Sequence, residues 1–204
     1  MGSTLDRVMD RFVRASADFA RVLREVEPAQ WIRPTPCAEW NVRQLVNHMA
    51  RGNIGYAMLA AGGSGTEFLE LRDVDALGDD PAGAYLDSVT TCIRAFAEPD
   101  ALHRILDYPL GKVTGRQALA VRTTDSVVHT WDLARAIGAD DAMDAGLVDW
   151  ILENLEHIYA NLPETPIDPE TTHRFFAAAA GTAGPSLREQ LLFRMGRSPD
   201  WRPL

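Results

Sequence analysis

The stretch from Gly115 to Gly138 constrains this chain more than any other, because it reads as a helix with apolar residues around most of its circumference. Thr114 with Gln117 three positions on is an N-terminal capping signal, and Gly138 supplies a C-terminal stop. With Asp125 at the origin and about 100° per residue, Ala120, Val127, Trp131 and Ala134 fall on the far side. Val121 and Val128 fall just before the origin, and Leu119, Leu133 and Ile137 beyond it. A helix of this kind belongs in the middle of a bundle. Yet Arg122, Asp125, His129 and Asp132 share one narrow arc, bordered by the small residues Ala118 and Ala136. Burying so many polar groups is costly unless they pair or bind an ion, so this arc is where a site would be built.

The other periodic segments supply the partners for that helix. Ser3 followed by Asp6 reads as a helix start, and Leu5, Val8, Met9, Phe12, Phe19, Val22, Leu23 and Val26 recur at helical spacing up to Pro28. Trp31 to Trp40 is a loop, since Pro34 and Pro36 exclude regular helix. Asn41 with Gln44 predicts a second helix, running through Val42, Leu45, Val46 and Met49 to about Leu59, with a flexible loop at Gly62–Gly65. Asp80-Pro81 opens a third, whose buried stripe is Tyr85, Leu86, Val89, Cys92, Ile93 and Phe96. Leu102 to Gly115 is a connector with room for a short extended piece. A fifth helix is expected over roughly Leu147 to Leu162, and a short one from Ser186 to Met195 stopped by Gly196. No internal repeat or long linker divides the chain. The expected fold is all-α, a single domain made of a four-helix bundle to about residue 162 and a helical C-terminal extension over about 163–204.

Composition narrows the function. The 204 residues suffice for one well-filled core, and 46% apolar with 24% charged residues is ordinary for a soluble protein. A net charge of -9 argues against nucleic-acid or anionic-membrane binding. No apolar stretch approaches the ~20 residues needed to span a bilayer. The two cysteines, Cys37 and Cys92, form no disulfide framework, and no basic flank with an apolar run opens the chain. A cytoplasmic protein is expected. The Gly62–Gly65 run precedes no phosphate-loop lysine and is given no nucleotide role.

Asp125 and His129 stand four residues apart, so their side chains share a helix face and can hold one divalent metal if another helix contributes. His48, at the rim of the second helix's apolar arc, is the candidate contributor. The spacing alone is weak: Glu153 and His157 repeat it on a solvent face, where they read as a surface pair. Two readings therefore stay open for the arc, a metal site or a buried network of salt bridges and hydrogen bonds. His103 and His173 read as surface histidines, and Cys37 as a structural or incidental thiol. Trp40 and Trp131 flank the arc but read as core.

Three segments carry a family resemblance. Pro34-Thr-Pro-Cys-Ala-Glu-Trp-Asn-Val-Arg-Gln-Leu-Val-Asn-His48 resembles the start of the second helix in actinobacterial DinB-like metal-binding proteins. Asp125-Ser-Val-Val-His129-Thr-Trp-Asp-Leu-Ala-Arg-Ala-Ile-Gly138 resembles their later metal-bearing helix, and Gly196-Arg-Ser-Pro-Asp-Trp201 a closing motif of one branch. The family includes the metal-binding domain of mycothiol-dependent maleylpyruvate isomerase and related thiol S-transferases. The resemblance implies a DinB-like bundle with His48, Asp125 and His129 as ligands of a divalent metal, zinc first, with nickel, iron or manganese as alternatives. Other members carry His or Glu where this chain has Asp125. It further implies an enzyme, a thiol S-transferase or isomerase that takes mycothiol or a similar thiol together with an electrophile. Arg122 or Arg135 would orient a substrate carboxylate, and Asp132 would support a ligand histidine. A monomer or homodimer fits either this reading or its alternative, a non-catalytic metal-binding or stress-response bundle.

Overall fold

Seven α-helices, two short 3-10 helices (Pro28–Gln30 and Leu71–Asp73) and one hairpin make up the regular structure of the described residues (5, 7–162 and 184–203) of the computed structural model. In chain order these are α1 (Val8–Leu23), α2 (Val42–Ala60), α3 (Gly65–Glu70), α4 (Pro81–Ala97), β1 (Ile105–Tyr108), β2 (Gly111–Thr114), α5 (Gly115–Ile137), α6 (Ala145–Ile158) and α7 (Leu187–Arg194). α2 packs on α4, α4 on α1, α1 on α5 and α5 on α2, which closes a ring of four. α6 packs on α5, and α7 on α6. This is the all-α bundle the sequence predicts. No helix among the described residues is long and apolar enough to cross a membrane.

Apolar side chains fill the ring as two stacked clusters. One gathers Phe12, Leu59, Phe96, Leu119, Val128 and Ile151. The other gathers Phe19, Leu45, Met49, Tyr85 and Leu133 around the far half of α5. Each such side chain contributes about 1.5–3 kcal/mol when fully buried. α5 is the most deeply enclosed element: only Arg116, Gln117, Asp125 and Arg135 keep any appreciable exposure along it. Its hydroxyls are satisfied within the helix. Thr123, Thr124, Ser126 and Thr130 each donate to the carbonyl four residues back, at 2.7–3.1 Å.

The caps act as their sequences imply. Thr114 accepts from the Gln117 amide, Asn41 and Gln44 form a reciprocal box, Asp80 accepts from Gly83, and Ser186 boxes with Glu189. Gly138 (φ 78°) ends α5 in the left-handed conformation that glycine adopts without strain.

Three segments differ from expectation. The loop expected at Gly62–Gly65 is only a turn, because Ser64 and Glu67 form a capping box and start α3. The connector before α5 is a two-stranded antiparallel hairpin, with Ile105 opposite Thr114 and Tyr108 opposite Gly111. Leu106 and Val113 are the buried pair that holds it to the bundle. α6 stops at Ile158 rather than Leu162, since Gln117 donates to the carbonyls of Ile158 and Ala160 and draws the chain out of the helix. α1 begins at Val8, and the start signal at Ser3 and Asp6 lies outside the described residues.

The hairpin is locked to α5 at Gly115. Its amide donates to the Arg104 carbonyl at 2.8 Å, and a Cβ there would lie 2.0 Å from the Ala101 carbonyl oxygen. Gly115→Ala is expected to lower stability by about 1–3 kcal/mol despite alanine's better helix propensity. Urea denaturation checks the loss, and hydrogen exchange should place the fastest opening in the hairpin.

Candidate metal centre

Asp125 breaks the buried run of α5, and three cationic or donor side chains converge on its carboxylate. The His129 Nε2 lies 3.1 Å from Oδ1, one turn along the same helix. The His48 Nε2 lies 3.2 Å from Oδ2, brought across by the packing of α2 on α5. Arg122 also reaches Oδ2 from the preceding turn. The His48 and Asp125 side chains keep 25% and 16% exposure, so the cluster opens on their side, whereas His129 is buried. Trp40 stacks on the His48 ring at 4.5 Å between centroids and lies 5.9 Å from the His129 ring.

The ordering of Arg122 explains why it is not available to a substrate. Its guanidinium is buried and donates to the Asn53 side chain at 2.7 Å, to the Met49 carbonyl and to Asp125. Asn53 in turn donates to Ser88 on α4 at 3.0 Å. Gly52 makes room for this, since a Cβ there would meet the Arg122 Nη1 at 2.8 Å. Arg122 therefore braces the carboxylate from behind.

A buried carboxylate backs His129. Its Nδ1 lies 2.8 Å from Asp132 Oδ2, and Asp132 is wholly buried. Arg197, from the turn after α7, donates to both oxygens of Asp132, Nε to Oδ1 at 2.8 Å and Nη2 to Oδ2 at 2.8 Å. Cys37 completes the group. The Thr35 hydroxyl, which accepts from the Cys37 amide and donates to the Trp40 carbonyl, folds the Pro34–Asn41 loop. The Cys37 Sγ thereby comes 3.3 Å from Asp132 Oδ2 and 3.9 Å from His129 Nδ1.

Electrostatics divides the two histidines. Burial dominates at His48 and pushes it down to about 4, although Asp125 pulls the other way. Burial disfavours the charged form of His129 too, but Asp125 and Asp132 outweigh it and raise that group well above its ordinary value. Burial would raise the Asp125 carboxyl; the two imidazoles hold it well below the usual range. At Asp132, Arg197 and His129 likewise overcome burial and lower the carboxyl. Burial and the Asp132 charge raise the Cys37 thiol, which stands here as a neutral donor to Asp132.

The donor set suits a divalent cation. Two imidazole nitrogens and a carboxylate offer one ligand atom each, all within 4.8 Å of one another. Donors bound to one ion at about 2.0–2.1 Å stand roughly 3 Å apart, close to the two histidine–carboxylate separations here. Nitrogen and oxygen donors of this mix accept zinc, nickel, iron or manganese. Because His129 favours its proton, a cation binding at its Nε2 must displace it, so binding releases protons.

Of the residues singled out in the sequence, the fold gathers His48, Asp125, His129, Arg122 and Asp132. Arg135 lies elsewhere: it pairs with Asp141 at 3.0 Å and donates to the Pro199 and Trp201 carbonyls, fastening the C-terminal segment. Trp131 is core, while Trp40 is half-buried against the histidines. His103, Glu153 and His157 are exposed, and His173 lies outside the described residues. Sequence reasoning gave no role to Arg197 or Asn53, read Met49 only as part of an apolar stripe, and read Cys37 as a structural or incidental thiol. The one signal for Arg197 is the Gly196–Trp201 motif itself.

Known proteins match this chain at three levels. Residues 12–134 fit the family model described as the mycothiol maleylpyruvate isomerase N-terminal domain. Two uncharacterized proteins of Mycobacterium tuberculosis, from strains CDC 1551 / Oshkosh and H37Rv, are each 29% identical over 175 residues, which is 86% of this chain and 79% of theirs. The crystal structure of the mycothiol-dependent maleylpyruvate isomerase superposes with a TM-score of 0.58 at 17% identity, over 74% of this chain and 70% of that one. A mutant of the same enzyme gives 0.59 at 16% identity over the same shares. At such identity the likeness to the solved structures speaks for the fold.

The split between the histidines predicts a pH signature. Unfolded His48 takes up a proton near 6.5, while the folded residue resists until about 4. The unfolded state thus binds more protons in this window, and falling pH destabilises the fold. His129, raised in the fold, contributes stability that is complete below 6.5 and lost as pH rises through its folded value. In chelator-treated protein, denaturation between pH 6.5 and 5 should show stability falling by at most about 1.4 kcal/mol per pH unit. His48→Gln should flatten that slope; an unchanged slope would refute the assignment.

Proposed function

Because the chain belongs to the mycothiol maleylpyruvate isomerase N-terminal domain family, we propose that it is a metal-dependent thiol S-transferase or isomerase whose metal is held by His48, Asp125 and His129. The observation that carries this reading is the convergence of these three donors from two helices at the one exposed point of an otherwise buried stretch of α5. Three protein donors leave further coordination positions, as a catalytic site requires. Zinc is the first candidate for the ion, and mycothiol or a similar low-molecular-weight thiol for the cosubstrate.

A divalent ion held by His48, Asp125 and His129 would supply Lewis acidity that favours the thiolate form of a small thiol, the form suited to attack an electrophile by conjugate addition or displacement. The chain's own residues prepare the place. His48, neutral across the physiological range, brings Nε2 to Asp125 on the open side, where an ion would take that nitrogen as the ring proton moves to Nδ1. Asp132 receives the Nδ1–H of His129 and so leaves Nε2, the nitrogen facing Asp125, as the one that would bind an ion once its proton is displaced. Arg122 holds the Asp125 carboxylate in one orientation. Trp40 covers a face of His48 and keeps water from that side.

Elemental analysis of untagged protein is the test. The wild type should contain near-stoichiometric zinc, nickel, iron or manganese, and His48→Ala and His129→Ala should each lose it. The loaded wild type should then consume mycothiol with an electrophile, or isomerise maleylpyruvate, at rates that both variants lack. Full metal content without turnover would leave a metal-binding bundle. A wild type that takes up no metal after reconstitution refutes the reading.

A further inference from the structure

Cys37, His129 and Asp132 form a second group of potential metal donors, their ligand atoms within 4.8 Å of one another on the opposite edge of the His129 ring. A cation already stands in it. Arg197 is 5% exposed, and every nitrogen of its guanidinium is engaged: Nε and Nη2 on the Asp132 oxygens, Nη2 also on the Cys37 Sγ at 2.9 Å, and Nη1 on the Met195 carbonyl at 3.0 Å. The guanidinium takes the place a second ion would occupy.

We infer that Arg197 is a positioning residue for the metal centre, acting through Asp132 to orient His129. This rests on the metal-binding reading above and adds to it a part of the chain beyond residues 12–134, the span that matches the family. Asp132 has no exposure, and a buried carboxylate needs a compensating cation to stay ionised. Arg197 supplies it and, by gripping both oxygens, fixes the plane of the carboxylate. Oδ2 is then held 2.8 Å from His129 Nδ1. With Nδ1 donating there, Nε2 is the ring nitrogen that faces Asp125.

The segment that delivers Arg197 is anchored on both sides. Before it, α7 buries Leu191 and Leu192, Met195 just past its end is buried too, and the Arg197 amide donates to the Leu192 carbonyl at 2.8 Å across the left-handed turn at Gly196. After it, Arg135 on α5 holds the Pro199 and Trp201 carbonyls. Asp141 ties Arg135 to Arg188 on α7 at 3.0 and 2.8 Å. α5 thus carries both the ligand and the clamp for the residue that orients it. A lysine would replace the fork only in part, supplying the charge but not the span over both carboxylate oxygens and the thiol.

The test is zinc affinity of the full chain, stripped of metal and titrated with Zn²⁺ against a chromophoric chelator. Arg197→Gln and Asp132→Asn should each weaken zinc binding by roughly 10–100-fold. Arg197→Lys should recover part of the loss, and the double variant should bind little worse than Asp132→Asn alone. In ¹⁵N-histidine spectra of the zinc-loaded wild type, His129 should carry its proton on Nδ1 and ligate through Nε2. A folded Arg197→Gln with wild-type affinity overturns the proposal, as does ligation through Nδ1. Should Arg197→Gln fail to fold, wild-type affinity in Asp132→Asn overturns it equally. A wild type that binds no zinc defeats the metal reading itself, an outcome distinct from variants that bind as tightly as wild type.

Discussion

A carboxylate placed on a helix that is apolar nearly all round stays ionised only if cations or strong donors come to it, and Asp125 obliges the rest of the bundle to deliver them. α2 must pack on α5 in a register that brings His48 across, and the turns on either side must supply Arg122 and His129. Each delivery makes its own demand. Arg122 lies against α2 only because Gly52 has no side chain, and its remaining donors need Asn53 and the Met49 carbonyl. Asn53 needs Ser88 on α4. One charge on α5 thus accounts for polar residues on two neighbouring helices that apolar packing alone would have excluded. Such groups add little net stability, since their desolvation offsets their attraction, but removing any one leaves its partner buried and uncompensated.

Membership of the family accounts for the bundle and for the segments that carry the donors, all within residues 12–134. A shared fold hosts different reactions, so chemistry has to be argued from the site. Here the site combines a neutral imidazole on the open side, a protonated one on the closed side, and a carboxylate between them. The closed side is completed by Arg197, from a segment that the family match does not reach.

What was legible in the sequence was what neighbouring residues decide among themselves. The caps at Asn41, Asp80, Thr114 and Ser186 involve groups three residues apart, and each starts its helix as read. The polar arc of α5 was legible for the same reason, since helical geometry alone places Arg122, Asp125, His129 and Asp132 together. Ser64 and Glu67 carried an equally local signal for α3, hidden by the glycines around them. The hairpin was harder: strands of four residues show little alternation, and these are held by burying Leu106 and Val113. Arg197 meets Asp132 from 65 residues away, and no periodicity reports a contact of that kind. Arg122 and Arg135 looked alike as positive charges on one helix, and only the neighbours of each reveal that one braces a carboxylate and the other the Pro199–Trp201 segment.

The self-contained hydroxyls of α5 have a mechanical meaning. Thr123, Thr124, Ser126 and Thr130 each spend their hydroxyl proton on their own helix rather than on a neighbouring one. Apolar contacts tolerate small rotations of a cylinder about its axis, because one methyl group substitutes for another at similar cost. Directional bonds do not. Along α5 they occur near its two ends, through Gln117 and Arg135, and in the middle through Arg122, Asp125 and Asp132. The helix behaves as a shaft in a smooth bearing, keyed against turning at its ends and at its centre, and the central key is the cluster of ionisable groups itself.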